Sequence, residues 1–456
     1  MKNIKIFSII FIGLLFNACD DFLDLNPISD IGSGEFYKTS DEVEAAVISV
    51  YDGMQTFVQY EFALTEMRSD NTKTNLSEGE WAQFESMNVD VSNATVAQYW
   101  LDNYKLIFLA NTVLEHIDVV SDSNDKAQFE GEAKFARAFA HFNLVRAFGD
   151  VPIVTSIVTP TDYDAGLRQP VDQVYAAIEE DLLDAIDLLP YSESMPFGRA
   201  GKEAAQAMLA KVYLTMGDHA QAKTLLEDII TNGKFELLDD YHDVFYSEGN
   251  NEIIFAVQFI PDDSEESQLF SYDFTWKGRA SGLNYPTFDL MARVDPADAR
   301  YNTLFYYDPQ AISSGGYECG KFRSDASNEE YSGNDWIVLR YADVLLMYVE
   351  ACIGDGDSTS DALALEGFNA IRARAGLSNN FSTVTKSDLL NERRIELAFE
   401  NQRLYDLIRF GVAETVLTAF STTGEPGFVF DPDDLLLRIP QREINLNPDL
   451  QQNPGY

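Results

Sequence analysis

The chain has 456 residues, with 75 Asp and Glu against 32 Lys and Arg and a formal charge of −43. So acidic a balance argues against a nucleic-acid binder, which must neutralise phosphates with a basic face, and against electrostatic docking on anionic lipid. Apolar residues make up 46% and aromatics 12%, enough for a large packed core, so global disorder is excluded. Three cysteines are too few for a disulfide scaffold, and four histidines leave little for a histidine-rich metal site.

The first residues set an address. Lys2 and Lys5 precede an apolar run from Ile6 to Phe16, followed by Asn17, Ala18 and Cys19. A basic start, a short apolar stretch and a small residue before a cut site describe a signal peptide over residues 1–18. The run falls short of the roughly 20 apolar residues a spanning helix needs. Leu15 to Cys19 resembles the bacterial lipobox, whose cysteine becomes the lipidated first residue; Phe16 and Asn17 depart from its commonest pattern. Cys19 is therefore expected to carry the lipid, and several acyl chains together anchor stably. Residues 19–38, rich in Pro, Gly, Ser and Asp, read as an extended lipidated tether. Of the other two cysteines, Cys352 reads as a small buried hydrophobe in an apolar helix, and a Cys319–Cys352 disulfide is not expected.

Helices follow. Thr39 and Glu42 have capping-box spacing, and Val43, Ala46, Val47, Val50, Tyr51 and Met54 mark one apolar face behind them. Further helices are expected over 98–118, 126–148, 171–189, 202–216, 218–232, 336–353, 361–375 and 386–410, punctuated by Gly149, Pro152, Pro190, Gly217, Gly233 and Gly376. Ala204 to Ile230 resembles a tetratricopeptide helix–turn–helix unit, with small residues for close packing and Gly217-Asp218 at its turn. Gly149-Asp150 lies 217 − 149 = 68 residues earlier, two units of about 34. The fold class is thus mostly α, with tetratricopeptide-like repeats over about 98–233 and 336–410. A loop-rich inserted region with a few short strands covers about 60–97 and 234–335; Ile253 to Phe259 is strand-like. Long loops inside a compact domain are more often functional than idle.

No metalloprotease, hydrolase-elbow, phosphate-loop or dinucleotide motif occurs. With 75 acids, a catalytic carboxylate pair cannot be read from proximity in sequence. Glu392, Glu396 and Glu400, with Arg393, Arg403, Asp406 and Arg409, read as a salt-bridge lattice tying helices together. Asp355, Asp357, Thr359, Asp361 and Glu366 have calcium-loop spacing, but Ser360 replaces the required glycine, and the segment reads as a polar inter-helix turn.

Several segments together resemble the SusD/RagB family of Bacteroidota outer-membrane nutrient-binding lipoproteins. They are the tether from Cys19 to Asp24, Glu132 to Phe139 continuing to Pro152, Trp336 to Ala351, Asn391 to Glu400, and the ending from Ile439 to Pro448 with Asn453 to Tyr456. The resemblance runs from residue 19 to 456, making residues 39–456 a single SusD-like domain. It implies a lipid-anchored, surface-exposed protein of the outer membrane, partnered by a SusC-like TonB-dependent transporter, that binds oligosaccharides, or in some relatives peptides. It implies no catalysis, cofactor or metal. A lipid-anchored glycoside hydrolase is the rival from another class.

A sugar ring offers an apolar C–H face and a rim of hydroxyls, so its site is an exposed aromatic plate flanked by polar groups. Trp100 and Trp336 fall in helix-forming stretches and are expected in the core. Trp81 and Trp276 fall in polar loops and are the expected plates, with a buried loop anchor as the alternative. The resemblance adds Arg68, Asp70 and Tyr285, which occupy stretches corresponding to the family's aromatic arc with its neighbouring Arg and Asp. Lys73, Lys277 and Arg279 offer a local basic patch in an acidic body.

Overall fold

In a computed structural model, residues 36–74, 79–159, 164–324 and 326–455 are described. The signal peptide, Cys19 and all of the tether before Phe36 lie outside the described residues.

Helix α1 (Ser40–Val58) starts at the capping box read from Thr39 and Glu42, and it buries Val43, Ala46, Val47, Val50 and Met54. Helices α2 (Ala94–His116), α3 (Ser123–Phe148), α4 (Val171–Leu188), α5 (Lys202–Met216) and α6 (His219–Asn232) follow. Each packs on its neighbour in sequence, as helical repeats do, because one amphipathic pair alone leaves its apolar face uncovered. Helix α3 is the spine: it lies between α2 and α4 and buries Phe135, Phe139 and Phe142 with Ala136 and Ala140. The α5–α6 turn is the one read from the sequence. Gly217 sits in the left-handed region at φ 81° and closes α5, and the Asp218 carboxylate caps α6 by accepting from Gln221 N.

Two corrections follow in the second half. Residues 336–353 are not one helix: Trp336–Arg340 is a strand, β2, antiparallel to β1 (Ile253–Val257), and α7 (Tyr341–Ile353) begins after it. A short apolar run looks the same for a buried strand and a buried helix, and β1 supplies the pairing. Trp336 is nonetheless buried, as is Trp100. Helix α7 continues the stack, packing on α6 and on α8 (Ala362–Arg374). The second correction concerns 386–410, which divides into α9 (Lys386–Glu396) and α10 (Arg403–Arg409). Between them Phe399 and Asn401 take positive φ, 68° and 60°. Helix α11 (Ala413–Thr423) then packs with Leu404, Leu407 and Phe428 in a small separate core.

The broken helix serves the charged lattice. Arg340, at the end of β2, bonds Glu252, Glu396 and Glu400 at 2.7–2.9 Å. Arg300 bonds Asp298, Glu392 and Glu396 at 2.6–2.8 Å. Arg393 joins Asp343 and Asp406, and Arg409 joins Glu350 and Asp406. These groups are buried rather than arrayed on a surface. Burial alone would raise Glu396, but Arg374, Arg340 and Arg300 hold its carboxyl well below the usual range. Removing one partner from such a set strands a charge in the interior.

Among the described residues there are 18 α-helices, and none is long and apolar enough to cross a membrane. Cys319 and Cys352 are unpaired; Cys319 is buried and Cys352 partly so. In the turn weighed for calcium, Asp361 caps α8 and pairs with Lys223 at 3.1 Å.

Candidate functional site

Trp276 stands on a loop tied at its base. Asp273 is buried; its carboxylate accepts from Arg279 N and Nε, and its carbonyl accepts from Leu283 N at 2.7 Å. The tie draws residues 273 and 283 together and forces a tight path between them. Ala280 and Ser281 take positive φ, 52° and 59°, a costly conformation for residues with a side chain, held only where the surroundings over-determine it. A Cβ on Gly282 would meet the Tyr285 ring at 2.3 Å, so the loop needs glycine there.

The rest of the platform is a short hairpin, Phe305–Tyr307 against Tyr317–Cys319, with Tyr306 opposite Glu318. Trp276 is fastened to it twice: its backbone N–H donates to Glu318 Oε1 at 2.6 Å, and its indole Nε1 donates to Asp308 Oδ2 at 3.1 Å. The other Glu318 oxygen accepts from Arg323 at 2.8 Å, and the Arg323 guanidinium lies 3.5 Å from the centre of the Tyr306 ring. Burial raises the Glu318 carboxyl above its usual range, against the lowering by the Trp276 N–H and Arg323. The outcome is two pinned rings with open surface, Trp276 at 37% exposure and Tyr306 at 42%, with Tyr307 next to the latter also exposed, as is Tyr331 further along the chain. Lys277 reaches Glu329 at 2.6 Å and ties the Tyr331 segment to the Trp276 loop.

Of the residues chosen from the sequence, only Trp276 is an open plate. Trp81 belongs to the same region but acts as an anchor. Its half-buried ring stacks on buried Phe62 at 6.0 Å and carries the Arg279 guanidinium 4.9 Å from its centre. Tyr285 is fully buried beneath the loop, its hydroxyl donating to Ser281 O at 3.2 Å. Arg68 and Asp70 are buried too. Arg68 donates to the carbonyls of Leu64 and Asp434, and Asp70 accepts both prongs of Arg403 at 2.7 and 2.9 Å. Burial alone would raise Asp70; Arg394 and Arg403 reverse that and hold it below the usual range. Tyr285, Arg68 and Asp70 thus support the platform from within and present no face to a ligand. The basic patch is likewise spent, since Lys73 pairs with Glu425, Lys277 with Glu329 and Arg279 with Asp273.

Tyr306, Asp308, Glu318 and Arg323 were not singled out from the sequence. A signal exists: Phe305 to Tyr307 and Tyr317 to Cys319 are short aromatic segments flanking Gly315-Gly316, a hairpin pattern. Among the described residues no cluster of His, Cys, Asp and Glu is arranged to hold a metal.

A stack of antiparallel helices with a loop-built aromatic platform defines a helical-repeat scaffold that presents a surface. Comparison with known proteins gives that class a family. Residues 21–214 match the family model described as "Starch-binding associating with outer membrane", and residues 308–456 match that of the SusD family. A SusD-like protein of Formosa agariphila is 29% identical over 518 residues, covering 100% of both chains. One from Bacteroides ovatus is 28% identical over 454 residues, covering 90% of this chain and 82% of its own. The solved structure of a laminarin-binding SusD-like protein superposes with a TM-score of 0.79 at 25% identity, over 92% of this chain and 100% of its own. The chain belongs to the SusD/RagB family.

Proposed function

We propose that this protein is a cell-surface glycan-binding lipoprotein that captures oligosaccharide or polysaccharide without cleaving it and delivers it to a SusC-like TonB-dependent transporter. Cys19 carries the lipid that holds it at the outer membrane. The observation that carries the reading is the Trp276–Tyr306 platform. The Trp276 indole is held by Asp308 and its backbone by Glu318, while the Tyr306 ring is held by Arg323, itself fixed by Glu318, so little side-chain entropy remains to be lost when a sugar stacks on the exposed part of the rings. The Asp308 carboxylate at the edge of the Trp276 ring offers an acceptor to hydroxyls. The cations around the loop are each paired with a carboxylate, which favours an uncharged polymer. The similar solved structure of a laminarin-binding SusD-like protein points the same way, toward neutral glucans.

The test is native affinity electrophoresis of the purified protein in gels containing laminarin, soluble starch or xyloglucan, with a parallel assay for released reducing ends. Retardation that Trp276→Ala weakens, with no released sugar, is the expected result. Release of sugar by the protein alone would replace the reading with the hydrolase one, and binding of peptides but of no glycan would replace it with the peptide one.

A further inference from the structure

A second concavity lies apart from the platform residues. A cleft of about 480 Å³ is walled by residues 191–199, by 232–235 and by 249–258, with Asp335 also in its lining. Its volume falls within the roughly 300–1,000 Å³ of small-molecule sites. Tyr191 and Phe197 stand open in its wall at 50% and 66% exposure. The wall is built to bring Phe197 in close: a Cβ on Gly249, whose φ is +60°, would lie 2.5 Å from the Phe197 ring.

The polar atoms of the lining select the ligand. The cations are spent, because Arg199 bonds Glu132 and Glu44 and Lys234 bonds Glu193. The Asn232 and Asn251 amides donate to Asp228 and Glu236, which leaves their carbonyl oxygens as acceptors. Glu203 accepts from Ser192 through Oε2 alone, and Asp335 accepts from Phe259 N through Oδ1 alone. The cleft therefore offers aromatic faces and surplus acceptors, the complement of a C–H ring face with donating hydroxyls. An anionic ligand would meet carboxylates and, among the lining's own cations, only paired ones; Lys202, outside the lining, holds its ammonium 5.5 Å from the centre of the Tyr191 ring.

The cleft is also within reach of the platform. Asp335 lies six residues from Glu329 (335 − 329), the residue that pairs with Lys277 beside Trp276. Six residues span at most roughly 20 Å, and exposed Tyr331 lies between them.

We propose that this cleft is a second saccharide site, taking a short uncharged segment of the same polymer held at Trp276; for its ligand class the inference rests on the function proposed above. Two contacts on one polymer raise avidity beyond either alone.

Hydrogen–deuterium exchange of the full protein, read by mass spectrometry, reports the two places separately. Residues 191–199 and 247–258 report the cleft; residues 272–282 and 303–320 report the platform. The probes are laminarin, soluble starch and xyloglucan, with alginate and a casein digest as the anionic and peptide alternatives. One neutral polymer is expected to slow exchange in both sets. The double variant Tyr191→Ala/Phe197→Ala is expected to lose only the cleft protection and to weaken gel retardation several-fold. Protection of the platform alone overturns the second site and leaves the proposed function standing. Protection of the cleft alone by a neutral polymer supports the second site and overturns the platform. Cleft protection by alginate or the digest but by no neutral polymer overturns the saccharide assignment, and protection of neither set overturns both.

Discussion

Replacing Trp276 by alanine tests the platform with a magnitude that follows from its geometry. A Trp side chain of roughly 250 Å² that is 37% exposed leaves about 90 Å² for a sugar to cover. At about 25 cal/mol per Å², full coverage contributes about 2 kcal/mol and half coverage about 1 kcal/mol. Trp276→Ala should therefore weaken binding about 5- to 30-fold, and Trp276→Phe should fall between. The backbone N–H that bonds Glu318 survives the change, but the roughly 160 Å² of the side chain that is covered and the indole bond to Asp308 are lost, so stability should fall by about 2–4 kcal/mol. Calorimetric titration with the polymer that retards the protein, beside a thermal melt of both variants, measures the two effects independently. An unchanged affinity in a variant that is still folded at the titration temperature would refute the claim that the sugar stacks on Trp276.

Three further outcomes follow. Arg340→Met removes the cation that Glu252, Glu396 and Glu400 share, leaving each with fewer cationic partners, and should cost about 3–5 kcal/mol, read as a fall of several degrees in the melting temperature; a change under one degree contradicts the lattice as a structural tie. Tyr285→Phe removes one hydrogen bond to Ser281 O and should cost about 1 kcal/mol of stability while leaving glycan affinity within twofold; a tenfold loss of affinity would place that hydroxyl on the ligand. Glu66 is buried with Oε1 unpartnered and its carboxyl pushed up to about 7 by burial. The folded state then holds a proton that the unfolded state releases near the ordinary carboxyl value of 4.5, so this group costs stability progressively as pH rises from about 4.5 through about 7. Glu66→Gln should raise the melting temperature at pH 8 and leave it unchanged at pH 4; an equal shift at both would show that protonation is not the cause.

The repeat scaffold was legible because its signals are local: capping residues, apolar faces at helical spacing and small residues at turns. Those signals located α1 to α6 and the Gly217 turn. They failed where structure depends on distant partners. Trp336–Arg340 is a strand because β1, some 80 residues earlier, lies beside it. Helix α9 ends because Glu396 and Glu400 both turn toward Arg340. The site followed the same division. Trp276 was readable as an aromatic in a polar loop, whereas the burial of Arg68, Asp70 and Tyr285 is a property of the assembled core. In a chain this acidic, Asp70 was indistinguishable by sequence from a carboxylate facing water.

Charge bookkeeping connects the core to the ligand. The protein holds 32 basic residues against 75 acidic ones, and several of its arginines are drawn inside to neutralise Glu252, Glu392, Glu396, Glu400 and Asp406. The cations that line the cleft and those at the platform are consumed as well, each by an adjacent carboxylate, while Lys202 at the cleft's edge lies against the Tyr191 ring. What remains toward solvent is aromatic carbon, amide oxygen and excess carboxylate. Such a surface repels polyanions at a distance, an effect screened beyond about 8 Å at physiological ionic strength, and at contact it meets hydroxyl donors. The proposed selectivity for a neutral polymer over an acidic one would thus be set by the acid-rich composition as much as by any single residue. It should accordingly relax as ionic strength rises, while stacking on Trp276 should not.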